Sequence, residues 1–178
     1  MAVKIVRVLN TNAVVSSDQE GRELIITGAG IGFKKKKGEN LDEALADKTY
    51  YLESVDDSRR LQEVVKEISE EYLKIVSRIV KTAREEGLKV RDSLYVTLTD
   101  HINSAVDRYR ENIALKNMMK LEIRKFYPKE YEIGLRAVQW IQEQNDENLG
   151  EDEAAFIAMH IVSAELGSGS NVDVNKIT

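Results

Sequence analysis

Cysteine is absent from the 178-residue chain, so neither a disulfide framework nor a thiolate metal site is open to it. Histidine occurs only at positions 101 and 160. Two histidines without cysteine or an HExxH-type arrangement make a poor zinc ligand set, so no metal is expected. Long apolar runs are missing as well: none approaches the roughly 18 residues that a membrane span needs. Met1–Leu9 alternates and carries Lys4 and Arg7, unlike a signal peptide. These absences point to a soluble, cytoplasmic protein with no membrane insertion.

What is present is an ordinary globular balance, 42% hydrophobic and 32% charged, enough for one large domain or two small ones. The formal net charge of -5 is unevenly spread. Residues 1–40 carry seven basic side chains against four acidic ones, a net of +3, which leaves -8 for the remainder. A basic front segment suits a phosphate-bearing partner, and it is equally the pattern of a solvated surface.

The first 55 residues have the texture of short strands. Val3–Leu9 mixes alternation with β-branched residues, Asn10-Thr11-Asn12 is a turn, and Ala13–Ser16 and Leu24–Thr27 are further strands around a Ser17–Gly21 loop. A last strand is expected near Thr49–Leu52. Gly28, Gly30 and Gly32 alternate, leaving one side of that segment bare of side chains. A sheet this small buries only around 60% of its unfolded-chain surface, so dimerisation through one face is expected.

Near residues 53–58 the apolar period changes from two to that of a helix. Leu61, Val65, Ile68, Tyr72, Ile75, Ile79 and Ala83 predict one long helix ending at Gly87. Further helices are predicted over Asp92–Asn112, Lys116–Phe126, Pro128–Gln144 and Glu151–Leu166, the fourth with the only proline in its first turn. The expected fold is therefore α+β in two domains: a small antiparallel sheet at 1–55, a linker at 56–57, an all-α five-helix bundle at 58–168, and a linker-like tail at 169–178.

Two constellations can carry chemistry. Arg7, Asn10, Asn12, Gly28, Gly30, Phe33 and Lys34–Lys37 combine amide groups that read base edges, bare backbone, an aromatic that stacks on an unpaired base, and cations for phosphates. The same residues also serve as turn formers, bulges, core and edge protection. The GxGxGF spacing is not a dinucleotide fingerprint, because no helix follows it. The second constellation is helical. His101 has Arg108 two turns further along the same side, a cation suited to holding a phosphoryl group on the imidazole. No nucleophile or carboxylate pair is tied to either histidine by spacing, so no enzyme activity and no cofactor are expected. Isolated helical histidines also serve as satisfied structural groups.

Five separated segments carry a resemblance across nearly the whole chain. Lys4–Val14 and Thr27–Gly38 resemble the co-antiterminator RNA-binding domain of the BglG/SacY-like transcriptional antiterminators of bacteria. Asp92–Ile102, Phe126–Gly134 and Glu151–Ile161 resemble a PTS regulation domain, the module read by the sugar phosphotransferase system. The resemblance implies a homodimer that grips a leader RNA hairpin and excludes an overlapping terminator. It assigns RNA contacts to Arg7, Asn10, Asn12, Gly28, Ala29, Gly30 and Phe33; some relatives carry Arg at the position of Ala29. It assigns phosphorylation to His101 and His160, supported by Asp100 and Arg108, with a sugar permease and the phosphocarrier protein as partners. Relatives usually carry a second regulation domain, so the tail is expected to begin a linker to one. The competing reading is a phosphoryl-histidine relay protein whose β domain only dimerises.

Overall fold

In a computed structural model, residues 3–166 are described. The chain divides into two compact units between Glu71 and Tyr72. The expected linker-like tail lies outside the described residues.

The first unit is a four-stranded antiparallel meander, β1 (Ile5–Asn10), β2 (Ala13–Ser17), β3 (Glu23–Thr27) and β4 (Lys48–Tyr50), with strands in chain order. One face packs Ile5, Val14 and Ile26 against Ile31 and Leu41 from the loop that follows β3. The other carries Ala13, Val15 and Ile25, the partners of alternate register positions. Helix α1 (Val55–Glu67) lies against β1 and β3 and buries Ser58, Leu61, Gln62 and Val65. Burying a side chain such as Leu61 contributes about 1.5–3 kcal/mol. Ser54 starts α1 by accepting the Asp57 N–H at 3.2 Å. The period does change near residue 55, but this unit runs on to Glu71 because α1 covers the sheet.

Two β-bulges in β1 decide which side chains face α1. Ile5 pairs with Ser16, yet Arg7 pairs with Val15; Val8 pairs with Val14, yet Asn10 pairs with Ala13. Each bulge inserts one extra residue on β1, which turns the following side chain to the opposite face. Strict alternation would leave Arg7 on the Ile5 side. Instead Arg7 and Asn10 both reach α1.

The single long helix expected over residues 57–87 is two helices. Ile68 adopts an extended conformation, and Ser69 accepts the Glu71 N–H at 3.2 Å to start α2 (Glu70–Glu85). With α3 (Ser93–Arg110), α4 (Lys120–Phe126), α5 (Pro128–Asn145) and α6 (Glu151–Leu166), α2 builds the five-helix second unit. Pro128 does open α5. α4 begins at Lys120 rather than 116, because Asn117 is held in a turn, its Oδ1 accepting the Met119 N–H. Helix α6 packs against α3, α4 and α5; its fully buried Ala154, Ala155 and Ala158 keep that central helix thin. No described helix is long and apolar enough to cross a membrane.

Candidate functional site

The first candidate surface is built on turns. Gly28 to Lys35 is not a bare extended edge but consecutive tight turns, with Ile31 N–H donating to Gly28 O, Phe33 to Gly30 and Lys35 to Gly32. The β1–β2 tip is tied to them: Gly28 N–H donates to Asn12 O, and Gly30 N–H donates to Asn12 Oδ1 at 2.9 Å. Asn12 is thus a brace for the glycine loop. At Gly28 a Cβ would stand 1.8 Å from Leu45 O, so only glycine fits there. Gly30 has open space but a φ of +76°, which a side chain rarely adopts.

These turns display Phe33, which is 58% exposed rather than core. Lys34 bends back with its ammonium 5.4 Å from the Phe33 ring centroid. Ala29, Lys36 and Lys37 are exposed beside it in sequence. An open aromatic ring among cations can stack a base while attracting the phosphates that flank it.

Arg7 and Asn10 are placed differently. Arg7 donates to Gln62 Oε1 at 2.6 Å and to Glu23 Oε2 at 3.2 Å, and Gln62 donates to Glu23 Oε1 at 2.9 Å. Asn10 donates to Val65 O at 2.8 Å and accepts the Asn12 N–H at 2.7 Å. The Gln62 hydrogen bond, followed by that from Arg7, holds the Glu23 carboxyl below its usual range. Both residues therefore fasten α1 to the sheet.

The second candidate site lies between α3 and α6. His101 Nε2 is 2.8 Å from Glu153 Oε1, and Arg108 donates to Glu153 Oε2 at 3.5 Å. The His101 and His160 ring centroids are 4.6 Å apart. Burial, then the neighbouring His101, pushes the His160 imidazole down to about 4, so that ring is neutral at neutral pH. Asp100 is exposed and opposes that shift only through its charge. Phe156 packs on His101, the two ring centroids 6.0 Å apart. A cleft of about 510 Å³ runs from this cluster along Arg108, Tyr109, Ile113 and Leu149. Among the described residues no cluster suited to a metal ion is found.

The carboxylate in this site, Glu153, is not among the residues that the sequence alone singles out. Its signal was spacing: Glu153 and His160 are seven apart on α6, as His101 and Arg108 are on α3. Only the antiparallel meeting of the two helices joins the pairs.

Comparison with known proteins matches two stretches of the chain to two named domains. Residues 3–59 match the CAT RNA binding domain and residues 73–164 match the PRD domain. The chain belongs to the family that joins a CAT RNA-binding domain to a PRD, or PTS regulation, domain. It is 38% identical over 167 residues to the "Beta-glucoside operon antiterminator" of Dickeya chrysanthemi, covering 93% of this chain and 59% of that protein. It is 37% identical over 165 residues to "Transcription antiterminator LicT" of Bacillus subtilis, covering 92% of this chain and 60% of that protein. The chain thus spans about three fifths of these relatives. Its fold resembles the crystal structure of GlcT CAT-PRDI, with a TM-score of 0.74 and 27% identity over 93% of this chain and 99% of that one.

Proposed function

We propose that this chain acts in transcription antitermination in the cytoplasm, binding a leader RNA hairpin as a homodimer and answering to phosphorylation of His101 and His160. The observation that carries the RNA half is the braced glycine loop that holds Phe33 open to solvent beside Lys34. RNA recognition favours unpaired bases stacked on aromatics, and loop lysines add a salt-dependent attraction. Asn12, Ala29, Gly30 and Phe33 form the contact surface, shaped by the buried Gly28 turn, with Arg7 and Asn10 supporting it through α1. The domain boundary proposed with this reading keeps the RNA-binding domain within residues 1–55 and the regulation domain within 58–168.

The regulatory half rests on His101, Glu153, Arg108 and His160 meeting on α3 and α6. A phosphoryl group adds a charge of about -1.5 to -2, enough to reorganise an interface that holds a carboxylate. Exposed Ile113, Leu115, Met118, Leu121 and Phe126 offer an apolar surface that a second copy covers. The donors are proteins of the sugar phosphotransferase system, the permease and the phosphocarrier.

The test is titration of a fluorescent leader hairpin and a scrambled hairpin of equal length. The proposal requires preference for the true hairpin, a log-affinity that falls with log salt, and loss of that preference in Phe33→Ala. Equal binding of both RNAs overturns it and leaves the β unit as a dimerisation module only.

A further inference from the structure

We infer that Glu153 holds His101 as the Nε2–H tautomer and thereby makes Nδ1 the atom that accepts a phosphoryl group. The inference rests on the phosphoacceptor reading of His101 above. Its starting point is the 2.8 Å contact between His101 Nε2 and Glu153 Oε1. An ionised carboxylate only accepts hydrogen bonds, so a hydrogen sits on Nε2, and in the neutral ring the in-plane lone pair is then on Nδ1. No other group among the described residues hydrogen-bonds this ring. The side chain is partly open, at 15% exposure.

The carboxylate is itself held. Glu153 lies in the first turn of α6, where the helix dipole favours an anion, and its second oxygen takes the Arg108 guanidinium at 3.5 Å. It is buried, with 10% of its side chain exposed. Arg108 thus acts on the histidine through Glu153. His160, whose ring is tilted against that of His101, is neutral and adds no competing cation.

The chemistry balances as follows. The Nδ1 lone pair attacks phosphorus in a donor with a P–N bond, a donor protein's phosphohistidine or its small-molecule equivalent phosphoramidate. The Nδ1–P bond forms, the donor P–N bond breaks, and its electron pair leaves on the donor nitrogen. His101 retains its Nε2 hydrogen, so the ring becomes cationic as the bond forms. In the neutral ring, the form whose lone pair can attack, that positive charge develops only during transfer and faces Glu153, where a fixed anion stabilises it selectively. Attack through Nε2 would instead bring the phosphoryl oxyanions against the carboxylate. Glu153 is a positioning residue, since it touches the acceptor ring and not the donor.

The experiment labels the whole chain with ¹⁵N-histidine and treats it with phosphoramidate, free histidine serving as a reactivity control. Long-range ¹H–¹⁵N correlations report the resting tautomer, and ³¹P–¹⁵N coupling reports the modified nitrogen. The expected result is Nε2–H in resting His101 and phosphate on Nδ1. Glu153→Gln keeps the shape and the hydrogen-bond acceptor but removes the charge, so labelling of His101 should slow tenfold or more. A resting Nδ1–H tautomer, phosphate on Nε2, an unchanged rate in the Gln variant, or label confined to His160 overturns the inference while leaving a phosphoacceptor in the unit. Failure to label either histidine while free histidine reacts overturns the phosphoacceptor reading, and this inference with it. The tautomer measurement needs only the unaltered chain, so it decides even if Glu153→Gln fails to fold.

Discussion

The two candidate sites solve opposite problems. In the first unit the groups that would meet RNA stand outward on turns, with Phe33 more than half exposed on a loop braced from behind by Asn12. In the second unit the groups that would take a phosphoryl group are folded inward, Glu153 nearly sealed and His160 pressed against His101. A long nucleic acid brings its own rigidity and needs a displayed, sequence-tolerant platform. A single phosphoryl group brings none, so its acceptor must be oriented beforehand by the protein. Exposure at one site and pre-organisation at the other follow from the size of what each would bind.

The sharpest way to break this contrast is Gly28→Ala. The displayed loop depends on a backbone contact that a methyl group would destroy. We expect a loss on the order of 3 kcal/mol in urea denaturation of the first unit, through overpacking. A neutral result would mean the loop is not braced as described.

The inward site should reveal itself by pH. The unfolded chain protonates His160 near pH 6.5, whereas the folded site resists protonation down to about 4. The unfolded state therefore binds more protons between these values, and stability held above pH 6.5 falls as the pH drops toward 4, by at most about 3 kcal/mol. His160→Gln should flatten that acid limb in thermal melts. A limb unchanged in the variant would place the titration elsewhere.

Phe33→Ala should weaken hairpin binding between about 5- and 150-fold, the range of one lost stacking contact, with little change in stability. It should do nothing to histidine labelling. Within the first unit, Arg7→Ala and Gln62→Ala should each destabilise, and their double-mutant cycle should return a coupling of about 0.5–2 kcal/mol. Additive effects would dissolve the proposed fastening of α1.

The smallest expected effect sharpens the pH test. Burial, then the hydrogen bond to Glu130, raises the Glu165 carboxyl to about 8. Here the folded state holds the extra proton, so stability present below about pH 4.5 is lost as the pH rises through about 8. Glu165→Gln should remove that slope, stabilising the second unit at alkaline pH and steepening the acid limb between about pH 4.5 and 6.5.

Much of this was legible in the residues. Val14-Val15 and Ile25-Ile26 are short β-branched runs, as strands covered on both faces should be, and Pro128 with Glu151–Glu153 marks two helix starts in the expected places. What escaped was decided by non-local geometry. The bulges at Arg7 and Asn10 depend on pairing with β2, and nothing in Val6 or Leu9 announces them. The break at Ile68–Ser69 left a faint mark, a serine ahead of Glu70 and Glu71, which an uninterrupted apolar period outweighed. Glu153 reads as a helix-dipole residue until α3 is laid against α6.

The double duty of Arg7 and Asn10 has a consequence for how function would be scored. Each side chain fastens α1, so removing either lowers the folded fraction before any RNA is added. A genetic screen that counts only transcripts would credit both with base contacts. Affinity normalised to folded protein would divide the loss correctly, and the ranking of Arg7 against Phe33 would then invert.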